Sequence, residues 1–253
     1  ISELGELGLV QFKDVSFTYP DTGIKAIKNV SFEIEKGQLI AIIGRTGSGK
    51  STLANLMMRM YDADSGKIEV DGEELRDINL NNYRNQIGFV PQEVFLFSDT
   101  IKNNIAFGLS ELKGDEVERA AKNAAVYNNI INFDLKFETM LGERGITLSG
   151  GQKQRVSIAR ALIKEPKILI FDDCLSAVDT KTEEEILSNL GKIMKDKTSI
   201  IIAHRISTIK NADKIIVLND GEIAEQGTHH ELLQNNHIYA EMFHNLLLEE
   251  ESI

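Results

Sequence analysis

The chain has 253 residues, a formal net charge of −11 and 42% hydrophobic residues. This acidic balance disfavours a general nucleic-acid-binding role, and the hydrophobic share supports a proper core. No apolar run reaches the roughly 20 residues of a membrane span, and no secretory signal is visible. The length suits one large domain or a domain with a subdomain. The single cysteine, Cys174, excludes an internal disulfide, suits a reducing compartment and is expected to be a small buried residue. The first residue is Ile1 rather than Met, so the chain is expected to be a piece of a longer protein.

From Val10 to Tyr19 apolar and polar residues alternate, with the alternation broken at Asp14-Val15 as in a β-bulge. Val30 to Ile34 alternates again, and both stretches predict antiparallel strands with one wet face. The apolar run Leu39 to Ile43 then leads into Gly44-Arg45-Thr46-Gly47-Ser48-Gly49-Lys50-Ser51-Thr52, followed by the helical stretch Leu53 to Met58. Strand, glycine loop and helix in this order are the context of a phosphate-binding loop. Its glycines let backbone N–H groups converge on an anion, and the helix start adds a positive dipole end. Lys50 can reach β- and γ-phosphates, and the Ser51 hydroxyl can ligate Mg²⁺. Gly66 to Gly72 predicts another short strand before a turn.

The character changes after the strand-like Ile87 to Val90, which stops at Pro91-Gln92. Residues from about Thr100 to Lys164 read as mostly helical. Within them Asp115 with Glu118 predicts a capped helix start, and Val117, Ala120, Ala121, Ala124 and Ala125 an apolar stripe. Ser149 is placed to cap the helix that begins at Gly150-Gly151-Gln152, whose glycines leave its first N–H groups uncovered, a second anion site. Ile168 to Phe171 and Ser199 to Ala203 are continuous apolar runs, expected as strands buried on both faces, with a crossover helix from Thr182 to Met194 between them. Asp172 closes the first run, where a carboxylate can hold Mg²⁺. Asn219-Asp220-Gly221 is a hairpin signal, and Thr228 with Glu231 a capping box for a terminal helix. No internal repeat or low-complexity stretch is found.

In this order the motifs resemble the nucleotide-binding domain of ATP-binding cassette (ABC) transporters, over nearly the whole length from Val10 to about Asn245. Gly44 to Thr52 looks like Walker A, Ile168 to Asp172 like Walker B, and Leu148 to Arg155 like the signature motif. The resemblance implies an α/β fold: a P-loop core with a mostly parallel sheet, an antiparallel β subdomain and a helical subdomain. All of these would lie in a single domain of residues 1–253, with the β layer and core at about 8–92 and 165–245 and the helical part at about 100–164. It implies ATP and Mg²⁺ as ligands. Lys50 and the loop residues Gly44, Thr46, Gly47, Ser48, Gly49, Ser51 and Thr52 would hold the phosphates, and Tyr19 would stack on adenine. Ser51, Gln92 and Asp172 would attend the metal, and His204 would sense the γ-phosphate. Ser149, Gly150, Gly151 and Gln152 would meet the nucleotide of a second cassette, and Ser176 to Asp179 would signal across that dimer.

Gln92 to Ile101 and Thr139 to Gly145 look like segments of exporter-type cassettes that touch transmembrane domains. The implied function is a motor on the cytoplasmic side of the cell membrane that drives export through membrane domains outside this chain. A soluble clamp ATPase of the same family and a nucleotide-binding regulator that never turns over are the other classes considered. One position departs from the family: Asp173 stands where a glutamate usually polarises the attacking water. Its reach is shorter by roughly 1.5 Å, about one C–C bond, and a 1 Å misplacement costs about 100-fold in rate. The expectation is a slow site in the degenerate subunit of a heterodimeric exporter, whose intact signature serves the partner's active site.

Overall fold

The computed structural model describes residues 8–109, 111–142, 146–175, 178–195, 197–203 and 206–251. In chain order it runs β1 (Val10–Thr18), β2 (Lys25–Ile34), β3 (Leu39–Gly44), α1 (Lys50–Met57), β4 (Ser65–Val70), β5 (Glu73–Glu74) and α2 (Leu80–Asn85). Next come β6 (Ile87–Val90), α3 (Ile101–Ile105), α4 (Glu116–Asn123), α5 (Tyr127–Ile131), a 3-10 turn (Lys136–Glu138), α6 (Gly150–Leu162), β7 (Ile168–Asp172) and α7 (Thr180–Met194). The chain ends with β8 (Thr198–Ile202), α8 (Ile206–Ile209), β9 (Lys214–Asn219), β10 (Glu222–Gly227), α9 (His229–Asn235) and α10 (Ile238–Glu251). It divides into two units, one of residues 1–84 with 196–253 and one of residues 85–195. The class is α/β, with antiparallel and parallel strands as the sequence implies. Among the described residues no helix is long and apolar enough to cross a membrane.

The first unit carries an antiparallel sheet in the order β2-β1-β4-β5. The predicted bulge is present: the register of β1 against β2 slips between Phe12 and Val15, and Asp14 takes a left-handed φ of 52°. The slip lets Phe12 and Val15 both face inward, and Phe12 stacks on Phe32 at 4.5 Å. In the same unit β3 lies between the parallel strands β8 and β9, with β10 antiparallel at the edge beyond β9. Ile40, Ile42 and Ile200 to Ile202 are buried, as a strand covered on both faces requires. The Tyr83 phenol, fully buried, donates to the Met57 carbonyl at 2.7 Å and so ties α2 to the end of α1.

The second unit pairs β6 and β7 in parallel and surrounds α6 with short helices. Its helical stretch is less continuous than the sequence pattern suggests. Asp115 precedes α4 but makes no side-chain cap; Glu116 instead accepts from the Lys113 amide at 2.9 Å. Ala120, Ala121 and Ala124 are buried, whereas Ala125 leaves the helix with φ 53°. Periodicity carried the stripe one residue past the turn that stops α4.

A buried polar node fixes this unit. Arg160, on α6, donates Nε to the Asn104 carbonyl at 2.7 Å, Nη1 to the Phe95 carbonyl at 2.9 Å and Nη2 to Asn104 Oδ1 at 3.0 Å. Asn104, only 1% exposed, also accepts from the Phe97 amide at 2.8 Å and donates to the Phe97 and Thr100 carbonyls, each at 3.0 Å. The guanidinium carbon sits 5.7 Å from the Phe97 ring centroid and 5.8 Å from that of Phe107. Burial pulls the guanidinium below its ordinary pKa. Among the described residues no carboxylate pairs with it, and carbonyls and ring faces carry its charge. Asn104→Ala strands the Phe97 amide and one Arg160 donor. It is expected to lower stability by about 2–4 kcal/mol, measured as a lower urea midpoint at unchanged m-value.

Candidate functional site

The glycine loop of the first unit opens where β3 ends at Gly44 and closes at α1. The first i→i−4 bond of α1 runs from the Leu53 amide to the Gly49 carbonyl at 3.1 Å, so the amides of residues 50–52 point out of the helix start. Gly49 has φ 105° and supplies no side chain to cap them. A Cβ on Gly49 would stand 2.7 Å from the Ala26 carbonyl oxygen. Only glycine permits this approach of the loop to β2.

The Lys50 side chain, 7% exposed, curls over the loop and donates to the carbonyls of Gly44 at 2.8 Å and Arg45 at 3.0 Å. The Ser48 hydroxyl is buried without a hydrogen-bond partner, while Thr46 and Gly47 are exposed. Donors thus dominate the loop: convergent amides, an ammonium and an unused hydroxyl. Such a set takes a polyanion with oxygen acceptors.

Tyr19 belongs to the same unit. Its amide and carbonyl close the turn between β1 and β2, through Ile24 O at 2.9 Å and Gly23 N at 2.8 Å. Its hydroxyl meets Thr52 Oγ1 at 3.0 Å, which puts the ring beside the start of α1.

Sequence reasoning missed the support beneath the loop. The hairpin between β9 and β10 was legible as a turn, and Asp220 and Gly221 do take φ values of 49° and 81° with Asn219 facing Glu222. The hairpin also braces the glycine loop. Gly221 donates its amide to the Ser48 carbonyl at 3.0 Å and accepts from the Lys28 amide at 2.8 Å, while Lys28 Nζ reaches Asp220 at 2.9 Å. A local pattern gives the turn type, but not which distant backbone it will touch.

In the second unit Asp172 ends β7 and is 4% exposed. Asp173 follows with a left-handed φ of 45°, and the exposed Gln92 donates Nε2 to its Oδ2 at 3.4 Å. Cys174 is buried, and desolvation with the carboxylate of Asp173 beside it pushes the thiol well above its ordinary pKa, away from the thiolate form. At the start of α6, Ser149 Oγ accepts from the Gln152 amide at 3.3 Å and Gln152 Oε1 accepts from the Ser149 amide at 2.9 Å, the capping box that the sequence spells. Gly150 stands exposed at this helix start, with Gly151 half-buried beside it. His204 lies outside the described residues, as do Glu143 to Gly145 and Ser176-Ala177. Asp179 is described: it caps α7 through the Thr182 amide at 3.0 Å, and that bond holds its carboxyl below the usual range.

The two segments read separately from the sequence touch each other here. The Leu141 amide donates to Asp99 O and the Ile101 amide to Thr139 O, each at 3.0 Å. Beside them opens a cavity of about 250 Å³ lined by Val94, Phe95, Leu96, Leu141, Leu148 and Lys153.

Gly221→Ala must both hold φ 81° and place a Cβ 2.7 Å from the Ala26 carbonyl oxygen. It is expected to cost about 1–3 kcal/mol and to speed amide hydrogen exchange across residues 44–50. Gly23→Ala, at φ 71° but in open space, is expected to cost only the left-handed penalty of about 1–2 kcal/mol, with exchange in the loop unchanged.

Residues 27–176 match the family model described as ABC transporter. The chain is 47% identical over 236 residues to the ATP-dependent lipid A-core flippase of Photobacterium profundum, covering 93% of this chain and 40% of that protein. It is 45% identical over 236 residues, with the same coverage, to the ATP-dependent lipid A-core flippase of Escherichia coli (strain K12). The solved structure of a bacterial Atm1-family ABC exporter with ATP bound is similar at a TM-score of 0.91 and 44% identity, over 94% of this chain and 42% of that one. The chain therefore spans about two fifths of the length of the curated relatives it matches. With the family model covering more than half of its residues, and the fold shared with an exporter of that family, this chain belongs to the ABC transporter family.

Proposed function

We propose that this chain is the ATP-binding and ATP-hydrolysing motor of an exporter, which closes with a second cassette around Mg-ATP and drives transport through membrane domains outside these residues. The observation that carries the reading is Lys50, folded over a glycine loop of convergent amides between a buried strand and a helix start. An incoming triphosphate replaces two neutral carbonyl acceptors by anionic oxygens, and charge-assisted bonds of that kind are about twice as strong. Tyr19 offers its ring to the adenine, and the loop from Gly44 to Thr52 its amides and hydroxyls to the phosphates. Relatives named for export and for a lipid flippase support the transport role, and those named for lipid A-core favour an amphipathic cargo.

Bound Mg²⁺ supplies neutralisation of the phosphate charge. The Ser51 hydroxyl, the Asp172 carboxylate and the Gln92 amide oxygen are hard oxygen donors of the kind it takes. Among the described residues no group of three or more His, Cys, Asp or Glu could hold a metal. In hydrolysis the oxygen of water bonds to the γ-phosphorus, the bond to the ADP oxygen breaks, and the water gives up a proton as inorganic phosphate forms. We assign the orientation of that water to Asp173 and Gln92, and contact with the γ-phosphate to His204.

Ser149, Gly150, Gly151 and Gln152 serve the nucleotide of the second cassette. With the signature intact and the glutamate replaced by Asp173, we favour a different chain as the partner, on the cytoplasmic face of the membrane. We assign the exposed apolar side chains of Phe95, Phe107 and Met140 to contact with the membrane domains. The helical subdomain at about 100–164 is then the piece that moves the signature helix. A regulator that binds nucleotide without turnover is a second reading, favoured only by Asp173.

The chain is expected to bind MgATP and to lose that binding in Lys50→Ala. Asp173→Glu is expected to raise phosphate release about 10- to 100-fold, and Asp173→Ala to lower the slow parent rate further. A brisk parent ATPase abolished by Asp173→Ala overturns the slow site. Light scattering in MgATP tests the partner: a dimer of this chain alone removes the heterodimer.

A further inference from the structure

We propose that the hydrogen bond between Tyr19 and Thr52 fixes where the ring of the base-stacking tyrosine sits, which makes Thr52 a positioning residue for base recognition as well as a member of the glycine loop. The proposal rests on the reading that the first unit binds ATP, and adds a device that selects a nucleotide over a bare polyphosphate.

The tyrosine is held at both ends. Its backbone is pinned by the Ile24 carbonyl and the Gly23 amide at the base of the turn between β1 and β2. Its hydroxyl is pinned by Thr52 Oγ1 at 3.0 Å. Thr52 is 5% exposed and sits in the first turn of α1, two residues beyond Lys50, so this anchor is as rigid as the helix itself. Two rings fill the sides: Phe17 at 5.0 Å with an interplanar angle of 78°, and Tyr61 at 5.5 Å and 85°. Tyr61 also packs on Phe17 at 5.1 Å, which closes a triangle of aromatic side chains.

A ring fixed at its Cα and at its hydroxyl cannot swing about its first side-chain torsion without breaking one of the two; turning about the second leaves the oxygen in place, and the neighbouring rings of Phe17 and Tyr61 limit that motion. It therefore loses little rotamer freedom when a base stacks on it, and preorganisation of this kind raises affinity by removing an ordering cost. Stacking on an aromatic face is available to a base and not to a chain of phosphates. One neutral hydroxyl–hydroxyl bond thereby links where the base lies to where the phosphates lie. Its loss is expected to change base-dependent affinity about 3- to 10-fold.

The test compares MgATP with magnesium tripolyphosphate by isothermal titration in the parent chain, Tyr19→Phe, Thr52→Val, Thr52→Ser and the double variant Tyr19→Phe/Thr52→Val. The expected result is a roughly 3- to 10-fold fall in the ratio of ATP to tripolyphosphate affinity in Tyr19→Phe and in Thr52→Val. The double variant should fall no further than either single one, and Thr52→Ser should keep the parent ratio. A parent ratio in Tyr19→Phe overturns the proposal. So does a loss that strikes both probes equally, because the hydroxyls then serve the phosphate loop alone. A parent chain that binds tripolyphosphate and ATP equally well overturns the base-stacking role. A parent chain that binds neither overturns the ATP reading and the proposal together.

Discussion

The first unit depends on a close approach of three backbones. The glycine loop, β2 and the tip of the β9–β10 hairpin meet through Ala26, Ser48, Gly49 and Gly221, where added Cβ atoms on the glycines would lie 2.7 Å from a carbonyl oxygen. Bonds from the Gly221 amide to Ser48 and from the Lys28 amide to Gly221 then fix the loop from behind. A phosphate loop works by presenting amides without side chains in the way, and its shape has to be held by other backbone. The antiparallel sheet and the strands around β3 are the frame that brings those backbones together. Tyr19 joins the arrangement from the turn of that sheet.

The second unit solves a different problem. Several of its helices are short: α3 and α5 span only Ile101–Ile105 and Tyr127–Ile131, too few turns to be stable by propensity. Order comes from polar anchoring to α6. Arg160 and Asn104 satisfy the irregular backbone from Phe95 to Thr100, and Arg155 holds Ala125 O at 2.6 Å and Asn129 Oδ1 at 2.9 Å. The helix that begins with the signature residues thus fastens two loops of its unit. Half-buried guanidiniums are costly to desolvate, and here their donors are met by backbone carbonyls and the Asn104 and Asn129 side chains.

Features written within a few residues were read correctly: the bulge at Asp14, the hairpin at Asp220-Gly221, the helix cap at Ser149, the capping box at Thr228, and the buried strands β7 and β8. Each depends on a short-range rule of backbone conformation or side-chain alternation. The misses have a common cause. Asp115 has the right spacing for a cap, but its backbone, at φ −99° and ψ 21°, is not in the extended conformation a cap requires. Ala125 continues the apolar stripe, but the chain turns there to meet Arg155.

By itself, then, the sequence determined the α/β class, the glycine loop with Lys50, the capped start of α6 and the carboxylate pair Asp172-Asp173, because each is a local pattern of residue types that admits few conformations. Only the tertiary structure decided what braces that loop, that the segments around Asp99 and Leu141 lie together, that Arg160 anchors the chain after Gln92, and that Tyr19 shares a hydrogen bond with Thr52. These contacts join residues tens to hundreds of positions apart. Their partners are chosen by where the packed elements bring backbone groups, and no spacing rule along the chain encodes that.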